Sequence, residues 1–579
     1  MSAYRINRSI VSFVLRPSTN RGSGNTLERV HVQKRSFSVQ KLLSAEIREP
    51  ERSGLSHITA TPSPDVHVYS QKREISTSHL DRKQDGRERV VILGSGWAGY
   101  SLSRDLDPKK YQVIIVSPRS YFVFTPLLAS TSVGTLEFRT AMEPIRSRRN
   151  KASFVQGWAE NVDLFNKTVT IEEAVADSNQ GRALTTSRDD GKNEEQLRTD
   201  ISTKSRSGQR FDLSYDKLII GVGCYNQTYN IPGVKEHANF LKDVGDARSI
   251  RKRLLECFET AALPTTPNNV RESILHFAVV GGGPTGIEFS AELHDLIHQD
   301  MAKMYPELIK FTKITIYDVG DKVLSQFDEK LGDFAMSHFS RSGIDIKTSR
   351  QIRSLEPGLP DVEPDMMSGR LGYTLKVAGE ADRGVGMCIW STGLMMNPFI
   401  QKALTAIRRF PPDEVIFKDK VEDALQLQWH IKQNPRTGAI VTNDRLRVLI
   451  TPDGAHGEMK AHLRDVFAIG DCSSIENQNH PATAQVASQK ARWLARALNK
   501  DDLHGDNRFM FKNLGIMAYL GNMSAIFEGG NGMGNVSGRA AWVLWRGAYL
   551  AKSISWRNRV LIPMYWFLNW TFGRDISRF

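Results

Sequence analysis

Residues 277–288 read Phe277-Ala278-Val279-Val280-Gly281-Gly282-Gly283-Pro284-Thr285-Gly286-Ile287-Glu288. An apolar run meets three glycines, and a helical pattern follows: strand, tight turn, helix start. Gly281 lets the chain turn sharply, Gly283 has no Cβ to keep backbone from a pyrophosphate, and Gly286 lets the helix pack close to the strand. Gly282, Pro284 and Thr285 complete the turn. The free N–H groups and positive end of that helix suit phosphate oxygens. The next strand, Ile314-Thr315-Ile316-Tyr317, stops at Asp318. A carboxylate there can take both hydroxyls of an adenine ribose and repels a 2′-phosphate, which predicts NADH over NADPH.

One such glycine pattern is weak evidence; the strand before it, the helix after it and the late acid strengthen it. Upstream stands a second copy, Val90-Val91-Ile92-Leu93-Gly94-Ser95-Gly96-Trp97-Ala98-Gly99. Each unit is also followed by a strand entering a glycine turn, Leu218-Ile219-Ile220-Gly221-Val222-Gly223 in the first and Cys388-Ile389-Trp390-Ser391-Thr392-Gly393 in the second. This duplication argues against chance. Two dinucleotide folds imply two dinucleotides, a flavin and a nicotinamide held face to face. The fold class expected is α/β, with two Rossmann-like domains, the second inserted in the first. One departure stands out. After the strand 111–116 the ribose acid is missing, and Ser117-Pro118-Arg119 stands there instead. Ser117 and Arg119 are left to hydrogen-bond the adenosine half; by itself this weakens the reading of the first nucleotide.

A chain of 579 residues has room for several domains. The four cysteines, Cys224, Cys257, Cys388 and Cys472, show no CxxC or CxxxxC spacing. That argues against a redox disulfide and against structural zinc, and no other metal-ligand spacing is visible. No D-x-D-x-D-G loop is present, which argues against calcium control. The net charge of +13 comes without a nucleic-acid motif, so no nucleic-acid partner is expected. The basic residues gather at the two ends, as for a targeting segment and an anionic membrane surface.

Residues 1–45 carry eight Lys/Arg against Glu28, with frequent Ser and Thr. This is mitochondrial transit-peptide composition, with Arg35-Ser36-Phe37-Ser38 as a processing site; the bland alternative is a basic tail without an address. Residues 46–88 read as a linker, followed by no apolar span. Ser120 to Leu128 is dense in rings: either a core segment, or a loop over a flat ring system with Thr125 and Pro126 beside it. Residues 175–208 are polar and aperiodic, an insertion in a surface hairpin. The strand 465–469 stops at Gly470 and Asp471, an acid suited to a ribityl hydroxyl or a phosphate-bound water. A helix then opens near Ala484, with Gln485 and Gln489 on one face. Two amides there suit carbonyl oxygens, although on their own they read as a surface pair. The end of the chain, 541–550 and 560–570, is aromatic and basic in runs well short of the ~20 residues of a spanning helix. These read as helices lying in a membrane interface, as a dimer interface, or as both.

Taken together, Gly94 to Gly99, Ser117 to Phe122, Phe124 to Leu128, Gly281 to Glu288, Ala468-Ile469-Gly470-Asp471 and Ala484-Gln485-Val486-Ala487-Ser488-Gln489 resemble the type II, rotenone-insensitive NADH dehydrogenases of mitochondria, fungal in flavour. The likeness covers residues 88 to 579. The double fingerprint marks all two-dinucleotide flavoproteins, whereas the glutamine helix is specific to the quinone side of this family. Fungal members also carry Ser-Pro-Arg where an acid is expected. The resemblance implies FAD, held non-covalently by Gly94, Ser95, Gly96, Trp97, Ala98 and Gly99, with Ser117 and Arg119 at the adenosine end. It places Thr125 and Pro126 beside the isoalloxazine, and Gly470, Asp471 and Ala484 along the ribityl side. NADH follows on Gly281 to Gly286, Asp318, Thr392 and Gly393, with Glu288 near the nicotinamide. Gln485 and Gln489 line a ubiquinone pocket, and Lys512 matches the family lysine near the flavin.

The domains implied are a transit peptide (1–45), a linker (46–88), an FAD domain in two parts (89–272 and 395–510), an NAD domain (273–394), and a membrane-anchoring, dimerising C-terminal domain (511–579). The expected activity is NADH:ubiquinone oxidoreduction without proton pumping, by a homodimer lying monotopically on the inner mitochondrial membrane, matrix side. Three rivals share the plan. A disulfide reductase and a sulfide:quinone oxidoreductase both need paired or spaced cysteines. An apoptosis-inducing-factor-like protein would oxidise NADH slowly and ignore quinone.

Overall fold

The computed structural model describes residues 77–577 apart from 83, 148–149, 176–207, 361, 363–370, 405–413, 417–426, 453–458, 505 and 533. The transit peptide, the linker up to residue 76 and nearly all of the polar insertion lie outside the described residues. The end of the expected linker is folded. A short helix, α1 (Ser78–Arg82), packs on the central strands of the first sheet, where Gln112 donates to the Leu80 carbonyl at 2.6 Å and Arg89 pairs with Asp81 at 2.8 Å. Arg89 is almost fully buried, so its charge requires these partners.

β1 (Glu88–Leu93), α2 (Trp97–Asp105) and β2 (Tyr111–Ser117) build the first glycine unit. The two strands are parallel and covered on both faces, which is why they read as continuous apolar runs. β3 (Ser153–Asp163) runs parallel to β2 and continues into an antiparallel meander with β4 (Thr168–Glu173) and β5 (Arg210–Ser214). β6 (Lys217–Ile220) lies parallel on the other side of β1. The helix α3 (Val244–Ala262) then leads out; Asp243 and Asp246 close a capping box at its start.

The second unit comprises β7 (His276–Val280), α4 (Pro284–Leu296), β8 (Lys313–Tyr317), β9 (Asp345–Lys347) and β10 (Met387–Trp390). Its sheet runs β10-β7-β8-β9, all parallel, with Asn239–Phe240 added at the β10 edge. The chain then returns. β11 (Ile440–Thr442), β12 (Arg447–Pro452), β13 (Ala461–Ala468) and β14 (Ser473–Ile475) complete the first sheet in the order β14-β11-β12-β13-β6-β1-β2-β3-β4-β5. The parallel pairing of β13 with β6 joins residues from either side of the second unit. The helix α5 (Ala484–Lys500), capped by Thr483, packs along α2.

A three-stranded antiparallel sheet follows, β15 (Ile516–Gly521), β16 (Ser524–Glu528) and β17 (Asn535–Gly538), then α6 (Arg539–Lys552) and α7 (Trp556–Phe572). This part docks on α4 and the helical turn that follows it: the Tyr519 hydroxyl donates to Asp295 at 2.6 Å, and Arg574 pairs with Asp300, just beyond α4, at 2.5 Å. α7 carries Pro563 and leaves Trp556, Val560, Phe567, Trp570 and Phe572 exposed. Among the described residues, no helix is long and apolar enough to cross a membrane.

Candidate active site

The two glycine turns are near copies in three dimensions. Gly94 has φ +106° and Gly281 φ +107°, a region that side chains avoid. A Cβ on Gly99 would lie 2.0 Å from the Gly94 carbonyl oxygen, and one on Gly286 would lie 2.1 Å from that of Gly281. Between them, Gly96 and Gly283 have no neighbour within 4 Å of a built Cβ. These two residues cap α2 and α4 without any side-chain hydrogen bond, so each helix presents its amides to open space. That cradle fits a pyrophosphate in both units.

Around the first cradle a cleft is walled by Gly94 to Gly96, Ser117 to Arg119, Gly157 to Ala159 and Gly221-Val222. Ser117 and Arg119 line it, but their polar atoms are largely committed to protein. The Ser117 hydroxyl shares a hydrogen bond with Ser95 at 2.9 Å, and both serines are buried. Arg119 is tied to Asp243 at 2.5 Å, and Tyr121 donates to the same carboxylate. The ring-rich stretch divides residue by residue. Phe122, Phe124, Leu127 and Leu128 are core, whereas Thr125 and Pro126 are half-exposed. Trp97 donates to the Thr125 hydroxyl at 3.1 Å, which holds that turn over the start of α2. Ala98 and Ala487 lie 3.2 and 3.8 Å from a Cβ built on Gly470, so Gly470 and Asp471 stand where α2 and α5 converge. Asp471 accepts a weak bond from Cys224 at 3.5 Å.

In the second unit Asp318 pins the turn itself: Gly282 and Gly320 donate to its two oxygens at 2.5 and 2.7 Å. Thr392 borders Gly281, and the Ser391 hydroxyl bonds the Val280 and Gly281 carbonyls. Gly393 continues the loop with φ +75°.

Glu288 lies one helical turn into α4, buried beneath the C-terminal part. The Trp545 indole donates to it at 3.1 Å and the Tyr519 amide at 3.2 Å. Burial pushes its carboxyl up to about 8, with Glu292 adding to the rise and the two donors opposing it. Trp545 packs on Tyr549 and Tyr549 on Phe124, so a chain of three aromatic rings links Glu288 to the segment that carries Thr125. Glu292, also buried, accepts from Ser130 and Thr135, both at 2.6 Å.

The glutamine pair is engaged with backbone. Gln485 accepts from the Leu514 amide at 2.9 Å and donates to the Gly515 carbonyl at 3.1 Å. Gln489 accepts from the Lys512 amide at 3.0 Å and donates to its carbonyl at 2.8 Å. The two side chains therefore clip residues 512–515 onto α5, each bond worth about 1 kcal/mol. Lys512 meets Gln489 through its main chain, and its side chain is exposed.

Sequence reasoning missed Lys490. It is almost fully buried, donates to the Ser473 carbonyl and hydroxyl at 3.2 and 3.3 Å, and burial lowers its ammonium to about 8. A signal existed, because position 490 falls on the apolar face shared by Val486, Ala487 and Leu494. Glu292, Asp295 and Asp243 carried no comparable local mark. The four cysteines are free and buried, and burial pushes Cys224 and Cys257 to about 11 and Cys388 and Cys472 to about 12. None offers the thiolate that disulfide or sulfide chemistry needs.

A family model described as pyridine nucleotide-disulphide oxidoreductase matches residues 88–410, and one described as NDH2 C-terminal domain matches 513–575. A probable NADH dehydrogenase of Dictyostelium discoideum is 33% identical, covering 91% of this chain and 100% of its own. The mitochondrial external alternative NAD(P)H-ubiquinone oxidoreductase B4 of Arabidopsis thaliana is 33% identical, covering 88% and 94%. The internal enzyme A1 of Solanum tuberosum is 32% identical, covering 91% and 97%. Among solved structures, NDH2 of Plasmodium falciparum in complex with NADH superposes with a TM-score of 0.66 at 23% identity, over 85% of this chain and 100% of that one.

Proposed function

The chain belongs to the type II NADH dehydrogenases, the alternative NAD(P)H-ubiquinone oxidoreductases, and from that premise we propose that it oxidises NADH with FAD and reduces ubiquinone by two electrons without pumping protons. A bound FAD would supply the two-electron redox chemistry between nicotinamide and quinone. The observation that carries the reading is the doubled cradle: two turns of the same geometry, each ending in uncapped helix amides beside open space.

The residues divide the work as follows. Gly94 to Gly99 would hold the FAD pyrophosphate, with Ser117 and Arg119 shaping the adenosine end. Thr125, Pro126, Gly470, Asp471 and Ala484 would hold the flavin side. Gly281 to Gly286 would hold the NADH pyrophosphate, with Thr392 and Gly393 flanking it, and Asp318 would exclude a 2′-phosphate. Glu288 keeps one proton at neutral pH where α4 meets the C-terminal sheet and would supply one of the two protons that quinone reduction consumes, the other coming from water. Gln485 and Gln489 shape the quinone pocket by fixing residues 512–515, with Lys512 at its rim. Catalysis is then mostly positioning.

The FAD domain comprises 89–272 and 395–510, the NAD domain 273–394, and the anchoring domain 511–579. The exposed stripe of α7 seats the enzyme peripherally on the inner mitochondrial membrane and contributes to a homodimer. The absence of an apolar stretch after the leader-like segment in the sequence favours the matrix face, although relatives carry both external and internal names; protease protection in mitoplasts tests that side. The function itself is tested with purified protein, NADH and a soluble ubiquinone analogue. The expected preparation is yellow, bleaches with NADH and recolours with quinone. A colourless protein, bleaching without recolouring, or quinone reduction driven by sulfide would overturn the reading.

A further inference from the structure

Beside the glutamine clip is a groove with a cavity volume of about 310 Å³; its inner end shares Gln489 and Lys512 with the proposed quinone pocket, and the rest of its lining has no role above. One wall is the outer face of α5, with Arg492, Trp493 and Arg496; the other is the segment carrying Met510, Lys512 and Leu514. Both walls are preformed. Gln485 and Gln489 pin one end, and Asp444 pins the other through Arg508 at 3.1 Å and the Phe509 amide at 2.9 Å. Met510 is 80% exposed and Leu514 52% exposed, so two apolar side chains of one wall stand open to solvent. Three cations surround this apolar strip. Arg492, Arg496 and Lys512 form no ion pair among the described residues. Trp493 packs against the same large apolar cluster as Tyr565 and Trp566 of α7.

We propose that this groove binds one anionic phospholipid, its phosphate held by Arg492, Arg496 and Lys512 and its first methylenes lying on Trp493, Met510 and Leu514. The charge pattern selects an anion, and the apolar strip between the charges selects an amphiphile over a free ion. The volume is at the low end for small-molecule sites, enough for a headgroup while the acyl chains stay in the bilayer. The inference rests on the membrane seat proposed for α7 and adds lipid selectivity to it. Its consequence is an enzyme held against the bilayer with the quinone side of α5 toward the lipid.

Vesicle flotation of the purified full-length holoenzyme tests it, with phosphatidylcholine vesicles and with vesicles in which one-third of the lipid is phosphatidylglycerol. Wild type should favour the anionic vesicles. R492Q/R496Q should lose about thirtyfold of that preference, as expected for two basic side chains at a charged surface, and still bind phosphatidylcholine. R492K/R496K should restore it. The α7 variant V560D/F567D should weaken binding to both vesicle types, a loss that reports on the membrane seat alone. Equal wild-type flotation with both lipids would overturn the lipid site while leaving the seat intact. Three further results would also overturn it: an undiminished preference in R492Q/R496Q, displacement by inorganic phosphate at constant ionic strength, or a shift to monomer in light scattering, which would assign the face to a second copy.

Discussion

Glu288→Gln offers the sharpest test, because the structure specifies both sign and size. In the folded chain the Glu288 carboxyl is raised from 4.5 to about 8, chiefly by burial. In the unfolded chain it titrates near its ordinary value. Between those two pH values the folded protein keeps a proton that the unfolded chain releases. Stability therefore falls as pH rises through this window, and the loss is complete once pH passes the folded value. At about 1.4 kcal/mol per pH unit, the full window amounts to about 5 kcal/mol. Glutamine keeps an acceptor for Trp545 and the Tyr519 amide and has nothing to titrate. Relative to wild type, E288Q should gain stability steadily from pH 5 to pH 8 and no further above that. Urea unfolding at a series of pH values, followed by tryptophan fluorescence, reads this directly, since Trp545 touches the residue. Parallel stability–pH curves for the two proteins would show that Glu288 is not held protonated, and the proton-keeping role would fall with it.

The remaining predictions are separable. Gly96→Ala should leave the apoprotein's stability within about 0.5 kcal/mol, because its Cβ meets no protein atom, yet strip the flavin absorbance. Gly99→Ala should damage the fold itself, because its Cβ would meet the Gly94 carbonyl oxygen at 2.0 Å; differential scanning calorimetry of the two apoproteins separates these outcomes. Asp318→Asn should raise the NADPH-to-NADH ratio of kcat/KM by about tenfold through loss of one like charge. The same change should weaken NADH use, since the turn loses part of its anchor to Gly282 and Gly320. Gln489→Leu should spare flavin reduction by NADH in stopped-flow and slow reoxidation by quinone, because only the two bonds to the Lys512 backbone are lost; equal loss of both half-reactions would refute that assignment.

Much of the architecture was readable along the chain. Buried parallel strands, glycine turns with positive φ and the starts of α4 and α5 are short-range requirements, met by residues within a few positions of one another. The insertion of one nucleotide unit in the other could be read from the repeated strand-and-glycine endings. What tertiary structure alone decided is which partner each polar side chain takes. Arg119 meets Asp243 across 124 positions. Ser117 turns to Ser95, and the glutamines serve backbone 23 to 30 residues downstream. Glu288 titrates high because burial beneath the C-terminal part outweighs the bonds that Tyr519 and Trp545 donate to it. The stretch from 78 to 88, polar enough to look like a tether, folds because it completes the hydrogen bonds of Arg89 and Gln112. Local sequence sets where the backbone turns; desolvation and hydrogen-bond partnership depend on segments that only the folded chain brings together.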